Sequence, residues 1–189
     1  MEIKRDKCAA VVYTKPLHAE VRDDVPMPPM DETGALTKTV FSTISRGTEL
    51  DLYTGQFHSR RAGTQWYPML PGYIAVGEVL EVGSEVTHIA PGDYVVSSNL
   101  FGDWAGDYCV AWAGHLEFLV YSKVSHRSLS ARRAVKVPQG VPLEHAGIAL
   151  RFPRGAVPNL SMILGGTGAR LEDLVGAFAA LQRGGIAGR

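Results

Sequence analysis

Cysteine is scarce in this sequence: Cys8 and Cys109 are the only two among 189 residues, and they lie far apart. No Cys-x-x-Cys spacing occurs, which argues against a disulfide framework and against a cysteine-built zinc site, and points to a reducing cytoplasm. Long apolar runs are also missing. None approaches the roughly 18 residues that a membrane-spanning helix needs. The first residues, Met1-Glu2-Ile3-Lys4-Arg5-Asp6-Lys7, are mixed in charge, so no secretory leader is expected. Net charge is absent too: the formal value is +0, and nothing global draws the chain to nucleic acid or to an anionic membrane. No internal repeat is visible.

What is present is an ordinary globular composition, 46% hydrophobic and 20% charged. Short β-rich runs punctuated by Gly, Pro and Asp dominate the first 125 or so residues. Cys8 to Tyr13, His18 to Arg22, Leu36 to Ile44, Ala75 to Gly83, Tyr94 to Val96, His115 to Tyr121 and Ala134 to Pro138 all read as strands. Gly77 interrupts one of them and suggests a bend or a close backbone approach. Glu49 to Thr54 reads as a helical turn stopped by Gly55, and Pro142 to Leu150 as the start of a helix. Many short strands at turn-marked spacing imply a small barrel or sandwich.

The charge balance conceals a break. Residues 151–189 hold five Arg, no Lys and two acids, a balance of +3, while every His, Lys, Trp and Tyr lies before residue 151. A proline-bearing linker from Arg151 to Pro158 is followed by Gly165-Gly166-Thr167-Gly168. Leu171, Leu174, Val175, Phe178 and Leu181 then recur at helical spacing and predict an amphipathic helix. Two units are therefore expected, 1–150 and 151–189, the second a linker and a helix.

Ile44-Ser45-Arg46-Gly47-Thr48-Glu49 is followed by Pro71-Gly72-Tyr73-Ile74-Ala75-Val76-Gly77-Glu78-Val79, then Val82-Gly83, Pro91-Gly92-Asp93-Tyr94-Val95 and His115-Leu116-Glu117-Phe118. In order and spacing this set resembles the GroES-like catalytic domain of the medium-chain dehydrogenase/reductase superfamily, over about residues 8–150. The Ser-Arg-Gly-Thr-Glu turn is similar to the subgroup of bacteriochlorophyllide and related alcohol dehydrogenases. The resemblance implies a mainly β fold, a GroES-like β-barrel with short helices. It also implies NAD- or NADP-dependent oxidation of a small-molecule alcohol or reduction of a carbonyl.

Metal-dependent members of that superfamily place a Cys near the position of Ser45 and a Gly-His-Glu where this chain has Gly72-Tyr73-Ile74. Serine and tyrosine are poor zinc ligands beside thiolate and imidazole, and isoleucine has no donor, so no zinc is expected. The zinc-independent mode then implies Ser45, Thr48, Tyr53 and Tyr73 as polar groups near the substrate cleft. A plainer reading stands beside it. Ser45 and Thr48 could cap the helix that begins near Glu49, and Tyr73 could be a packed aromatic. His58 and His115, each without a spaced partner, read as surface or structural. Lys123 to Lys136, which holds Arg127, Arg132 and Arg133 and no acid, reads as a solvated loop, or as a contact for a cofactor phosphate or an acidic partner.

The cofactor half has no counterpart here. Gly166-Thr167-Gly168 lacks the third glycine of Gly-x-Gly-x-x-Gly, because Leu171 stands in its place, so no complete Rossmann domain and no tight NAD(P) binding are expected. The tail from about residue 152, with Leu164-Gly165-Gly166, Leu171-Glu172-Asp173-Leu174 and Gly184-Gly185, is instead similar to part of the transpeptidase domain of class A penicillin-binding proteins. It brings no nucleophile, since no Ser-x-x-Lys occurs. The chain thus reads as the substrate domain of an oxidoreductase, inactive alone and expected to self-associate through its exposed interdomain face. The alternatives are a non-catalytic binding module and a fusion or truncation product without evolved activity.

Overall fold

A computed structural model describes residues 6–45, 47–56, 66–98, 104–126, 131, 134–149 and 168–169. Ten strands and three short helices are formed among them. Strands β1 (Lys7–Lys15) and β2 (His18–Pro26) make an antiparallel hairpin, with β4 (Met69–Leu70) and β7 (Cys109–Val110) continuing the sheet in the order β2-β1-β4-β7. The second sheet runs β10-β3-β5-β6-β9, built from β3 (Ala35–Thr43), β5 (Ile74–Val82), β6 (Tyr94–Ser98), β9 (Val135–Lys136) and β10 (Gly168–Ala169). Strand β8 (Phe118–Tyr121) also pairs with β3. Helix α1 is Thr48–Thr54, α2 is Lys123–His126 and α3 is Leu143–Ala149.

One segment closes the barrel. The sequence predicts a single strand from His115 to Tyr121, but the chain divides it between two partners. Val11 donates its N–H to the His115 carbonyl at 3.0 Å and Glu117 donates to Ala9 at 2.7 Å, so residues 115–117 lie on β1. Residues 118–121 cross to β3, Phe118 opposite Lys38 and Tyr121 opposite Ala35. The first sheet is thereby joined to the second by continuous chain.

Side-chain alternation explains the apolar runs. In β1, Ala10 and Val12 face the barrel interior with Leu36, Val79, Val95, Leu116 and Phe118, while Val11 and Tyr13 face α1 with Leu52 and Tyr53. A strand buried on both faces has no polar face to show, which is why Cys8 to Tyr13 reads as unbroken apolar sequence. In β5, Ala75 and Val79 enter the interior whereas Ile74 and Val76 pack with Val96 beneath Ala146 of α3. Three apolar clusters result: the barrel interior, the α1 side and the α3 side.

The expectations for strands and helices hold with shifted ends. Helix α1 starts one residue before Glu49 and ends at Gly55, and α3 spans Leu143–Ala149. Strand β2 runs beyond Arg22 to Pro26 because the hairpin pairing with β1 continues to Lys7 opposite Pro26. Gly77 makes the close approach expected of it: a Cβ there would meet the Lys38 carbonyl and the Thr37 side chain at about 3 Å. Among the described residues no helix is long and apolar enough to cross a membrane. The amphipathic helix expected from Leu171 to Leu181 lies outside the described residues. In the glycine-rich segment before it, Gly168–Ala169 is strand, Gly168 pairing with Thr43 and Ala169 with Ser42.

Candidate functional site

One end of the β3–β5 pair holds two of the four expected residues. Thr43 of β3 stands opposite Ile74 of β5. Ile44 and Ser45, which leave β3, therefore emerge beside Tyr73 and Gly72, which enter β5. Ser45, Thr48 and Tyr73 are all half-buried.

Helix α1 opens on Glu49 N–H donating to the Ser45 carbonyl at 2.9 Å and Asp51 N–H to Gly47 at 3.0 Å. Its cap position is Gly47, and no side-chain hydrogen bond caps the helix. The capping roles open to Ser45 and Thr48 in the sequence are therefore not the ones this helix uses. Tyr53 goes elsewhere. It is buried on the inner side of α1, its ring 5.4 Å from that of Tyr13 at 64°, and its hydroxyl donates to the Leu17 carbonyl at 3.0 Å. The strand register sets Ser45 beside Tyr73, Thr48 opens α1, and Tyr53 lies in the α1 core, where burial raises its phenol pKa.

Tyr73 packs against Trp112, their ring centroids 5.4 Å apart and the planes tilted by 45°. Trp112 belongs to a turn with unusual backbone: φ is 67° at Trp112 and 45° at Ala113, both in the left-handed region that non-glycine residues rarely adopt. Four backbone hydrogen bonds pin this turn to the chain before β5. Ala111 and Ala113 donate to Leu70 at 3.0 and 3.3 Å, Gly114 to Gly72 at 3.1 Å and His115 to Pro71 at 3.3 Å. The approach is so close that Gly72, with φ of 114°, has no room for a side chain; a Cβ would fall on the backbone of Gly114 and His115. Glycine is needed there twice over.

Beneath the turn lies a pair that linear sequence does not reveal. His115 Nε2 is 3.4 Å from Glu49 Oε2, and both side chains are 0% exposed. Neither the Glu49 oxygens nor the His115 nitrogens have a hydrogen-bond partner among the described residues. Tyr13 faces the same carboxylate; burial, and then the Glu49 charge, push its phenol well above the ordinary value. The reading of His115 as structural agrees with its burial, but its partner comes from α1, and no spacing rule links the two.

Other candidates are accounted for locally. The Cys8 thiol is pushed up to about 12 by burial and the Cys109 thiol is also raised by burial, so neither is poised as a thiolate. Among the described residues no group of three or more His, Cys, Asp and Glu could hold a metal. Both ends of the basic stretch form surface ion pairs, Lys123 with Glu32 at 2.8 Å and Lys136 with Asp93 at 2.7 Å. Arg127, Arg132 and Arg133, like His58, lie outside the described residues.

The geometry agrees with what known proteins show. The sequence profile of the alcohol dehydrogenase GroES-like domain matches residues 35–139. The 2-desacetyl-2-hydroxyethyl bacteriochlorophyllide A dehydrogenase of Cereibacter sphaeroides is 34% identical over 126 residues, 65% of this chain and 36% of the relative. Penicillin-binding protein 1C of Escherichia coli is 53% identical over 47 residues, 25% of this chain and 6% of that protein. A solved cinnamyl alcohol dehydrogenase from Sorghum bicolor superposes with a TM-score of 0.57 at 20% identity, covering 76% of this chain and 44% of that one, a likeness of fold. The chain thus spans less than half the length of these relatives. With its barrel closed through residues 115–121 and its matched segment covering more than half the sequence, the chain belongs to the alcohol dehydrogenase GroES-like domain family.

Proposed function

We propose that residues 1 to about 150 are the substrate-side domain of a zinc-independent, NAD(P)-dependent alcohol or carbonyl oxidoreductase, and that this chain does not catalyse the reaction alone. The observation that carries the reading is the β3–β5 register, which sets Ser45, just past β3, beside Tyr73, just before β5, at the positions where the family resemblance expects metal ligands. Hydroxyls there would hydrogen-bond the oxygen of an alcohol or carbonyl and orient its carbon. Zinc does not fit the donor set: Tyr73 packs its ring on Trp112, and Ile74 is buried without a donor atom.

The nicotinamide cofactor implied by the family would supply the hydride chemistry from a domain beyond the barrel. The described residues do not fit it. Gly168–Ala169 forms strand β10, whereas a dinucleotide site needs a glycine turn running from a strand into a helix. Titration of the chain with NADH and with NADPH, followed by cofactor fluorescence, tests the inactivity: no saturable signal is expected, and micromolar binding of either would overturn it. The scarcity of cysteine supports a cytoplasmic protein. Self-association through the interdomain face of such a domain is expected, which light scattering would detect.

A second reading concerns the tail alone. The match to penicillin-binding protein 1C spans 47 residues, more than the 39 of residues 151–189, and favours a joined passenger segment with no part in the barrel's chemistry.

A further inference from the structure

We infer that Glu49 and His115 form a proton-operated latch, which clamps the first turn of α1 to the barrel-closing segment and opens when acid delivers a second proton to the pair. The latch belongs to the barrel itself and is independent of the reaction proposed above.

Enclosure makes the pair sensitive to its proton count. Glu49 Oε2 lies 3.4 Å from His115 Nε2, and both side chains are 0% exposed. Their oxygens and nitrogens find no hydrogen-bond partner among the described residues. With one proton between them the two groups carry no net charge. A second proton makes a carboxylic acid beside an imidazolium, a net positive charge sealed from water.

The groups packed around the pair do not offset that charge. Glu49 shares the buried side of α1 with Leu52 and Tyr53, and Asp51 lies off that side. Tyr13 of β1, Tyr67 before β4 and Cys109 of β7 belong to the same cluster as Tyr53. Burial raises the pKa of all four, and phenols and thiols are uncharged in acid. On the closing segment, Glu117 is only half-buried, and its carboxylate accepts the Ala9 N–H at 3.5 Å.

The latch holds a strained turn in place. His115 N–H donates to the Pro71 carbonyl at 3.3 Å and Gly114 N–H to Gly72 at 3.1 Å, while Ala111 and Ala113 both donate to Leu70. Between these bonds Trp112 and Ala113 sit at φ of 67° and 45°. Successive non-glycine residues keep such a backbone only where their surroundings hold it. The Glu49 contact is the side-chain anchor at the end of this turn, so its loss lets the turn relax.

The direction of the response follows from proton linkage. An opened pair reaches water, where a carboxylate takes its proton as pH falls toward about 4.3. The closed pair resists that proton. The open form therefore binds more protons in acid and gains population as pH falls. Without the Glu49 charge, the first proton on His115 is already uncompensated, and opening should begin near the imidazole value of about 6.5.

The test follows the Trp112 indole Nε1–H of the full chain by NMR between about pH 8 and about pH 4, with far-ultraviolet circular dichroism monitoring the fold. The signal is expected to move or broaden toward the acid end while the far-ultraviolet spectrum is retained. Glu49→Gln should advance that change by about two pH units. Glu49→Leu/His115→Phe, which removes both ionisable groups, should abolish it. A Trp112 signal that stays fixed until the fold is lost would overturn the latch. So would a change that survives in the double variant, or one that Glu49→Gln leaves at the same pH.

Discussion

Glu49 and His115 meet in full enclosure, carboxylate to imidazole at 3.4 Å, one from the first turn of α1 and the other from the segment that closes the barrel. Two buried titratable groups that lack other hydrogen-bond partners among the described residues depend on each other. Breaking such a pair from one side leaves an uncompensated polar group, at a cost of about 3–5 kcal/mol, whereas replacing both by apolar residues of similar volume is often close to neutral. His115→Phe should therefore destabilise strongly in urea melts, as should Glu49→Leu. The double variant Glu49→Leu/His115→Phe should recover much of either loss. Additive losses would show that the two groups are not coupled.

Gly72 and Gly92 separate strain from collision. Both have positive φ, 114° and 89°, but a Cβ at Gly92 meets nothing within 4 Å while one at Gly72 falls on the backbone of Gly114 and His115. Gly92→Ala should cost about 1–2 kcal/mol, the left-handed penalty alone. Gly72→Ala carries that penalty plus the displacement of the Trp112 turn. It should lower the melting temperature well beyond Gly92→Ala and alter the near-ultraviolet circular dichroism of the Tyr73–Trp112 pair. Equal losses from the two would mean that the turn yields without resistance.

These two predictions mark where sequence reasoning stopped. Period-two alternation exposes β5 and β6 because each sends alternate residues into the interior and beneath α3, and Gly55 and Gly77 carry their backbone meaning in their identity. The family resemblance brought Ser45, Thr48 and Tyr73 to notice, and the strand register sets Ser45 beside Tyr73. Tyr53 shared their polarity, but its hydroxyl is taken by Leu17, a partner fixed only by how the β1–β2 turn meets α1. Likewise His115 looks solitary in a linear reading, since Glu49 reaches it only through barrel closure. Trp112 gives no local warning of its left-handed backbone, which is imposed from outside by hydrogen bonds to Leu70–Gly72. Strands β4 and β7, two residues each, are too short to show a period at all.

Alkaline pH should weaken the fold through its buried acids. Burial raises Cys8 to about 12 and Tyr67 to about 12, and raises Tyr13 well above its ordinary value. An unfolded thiol releases its proton near pH 9 while the folded one keeps it, so the unfolded state binds fewer protons in this window. Stability is then full below about pH 9 and declines toward pH 12. Urea midpoints should fall across that range, and Cys8→Ala should flatten the early part of the decline. The same burial predicts slow alkylation of native protein at pH 8, with half-buried Cys109 modified before Cys8. Mass mapping that finds Cys8 labelled first would contradict its enclosure.

The tail touches the barrel where Gly168 pairs with Thr43 and Ala169 with Ser42, on the part of β3 that β8 leaves uncovered. A two-residue ladder offers few hydrogen bonds, each worth about 0.5–1.5 kcal/mol net. If the tail is a passenger, removal of residues 152–189 should lower stability by less than about 2 kcal/mol and leave the near-ultraviolet spectrum of the Tyr73–Trp112 pair unchanged. Removal also uncovers the Ser42–Thr43 edge, so the shortened chain should associate more readily, strand edge to strand edge. Light scattering on both forms measures this, and Thr43→Pro in the shortened chain, which blocks edge pairing at that position, should reverse it. A tail that instead supplies a large part of the stability would have to bury apolar surface against the barrel, and the passenger reading would fall.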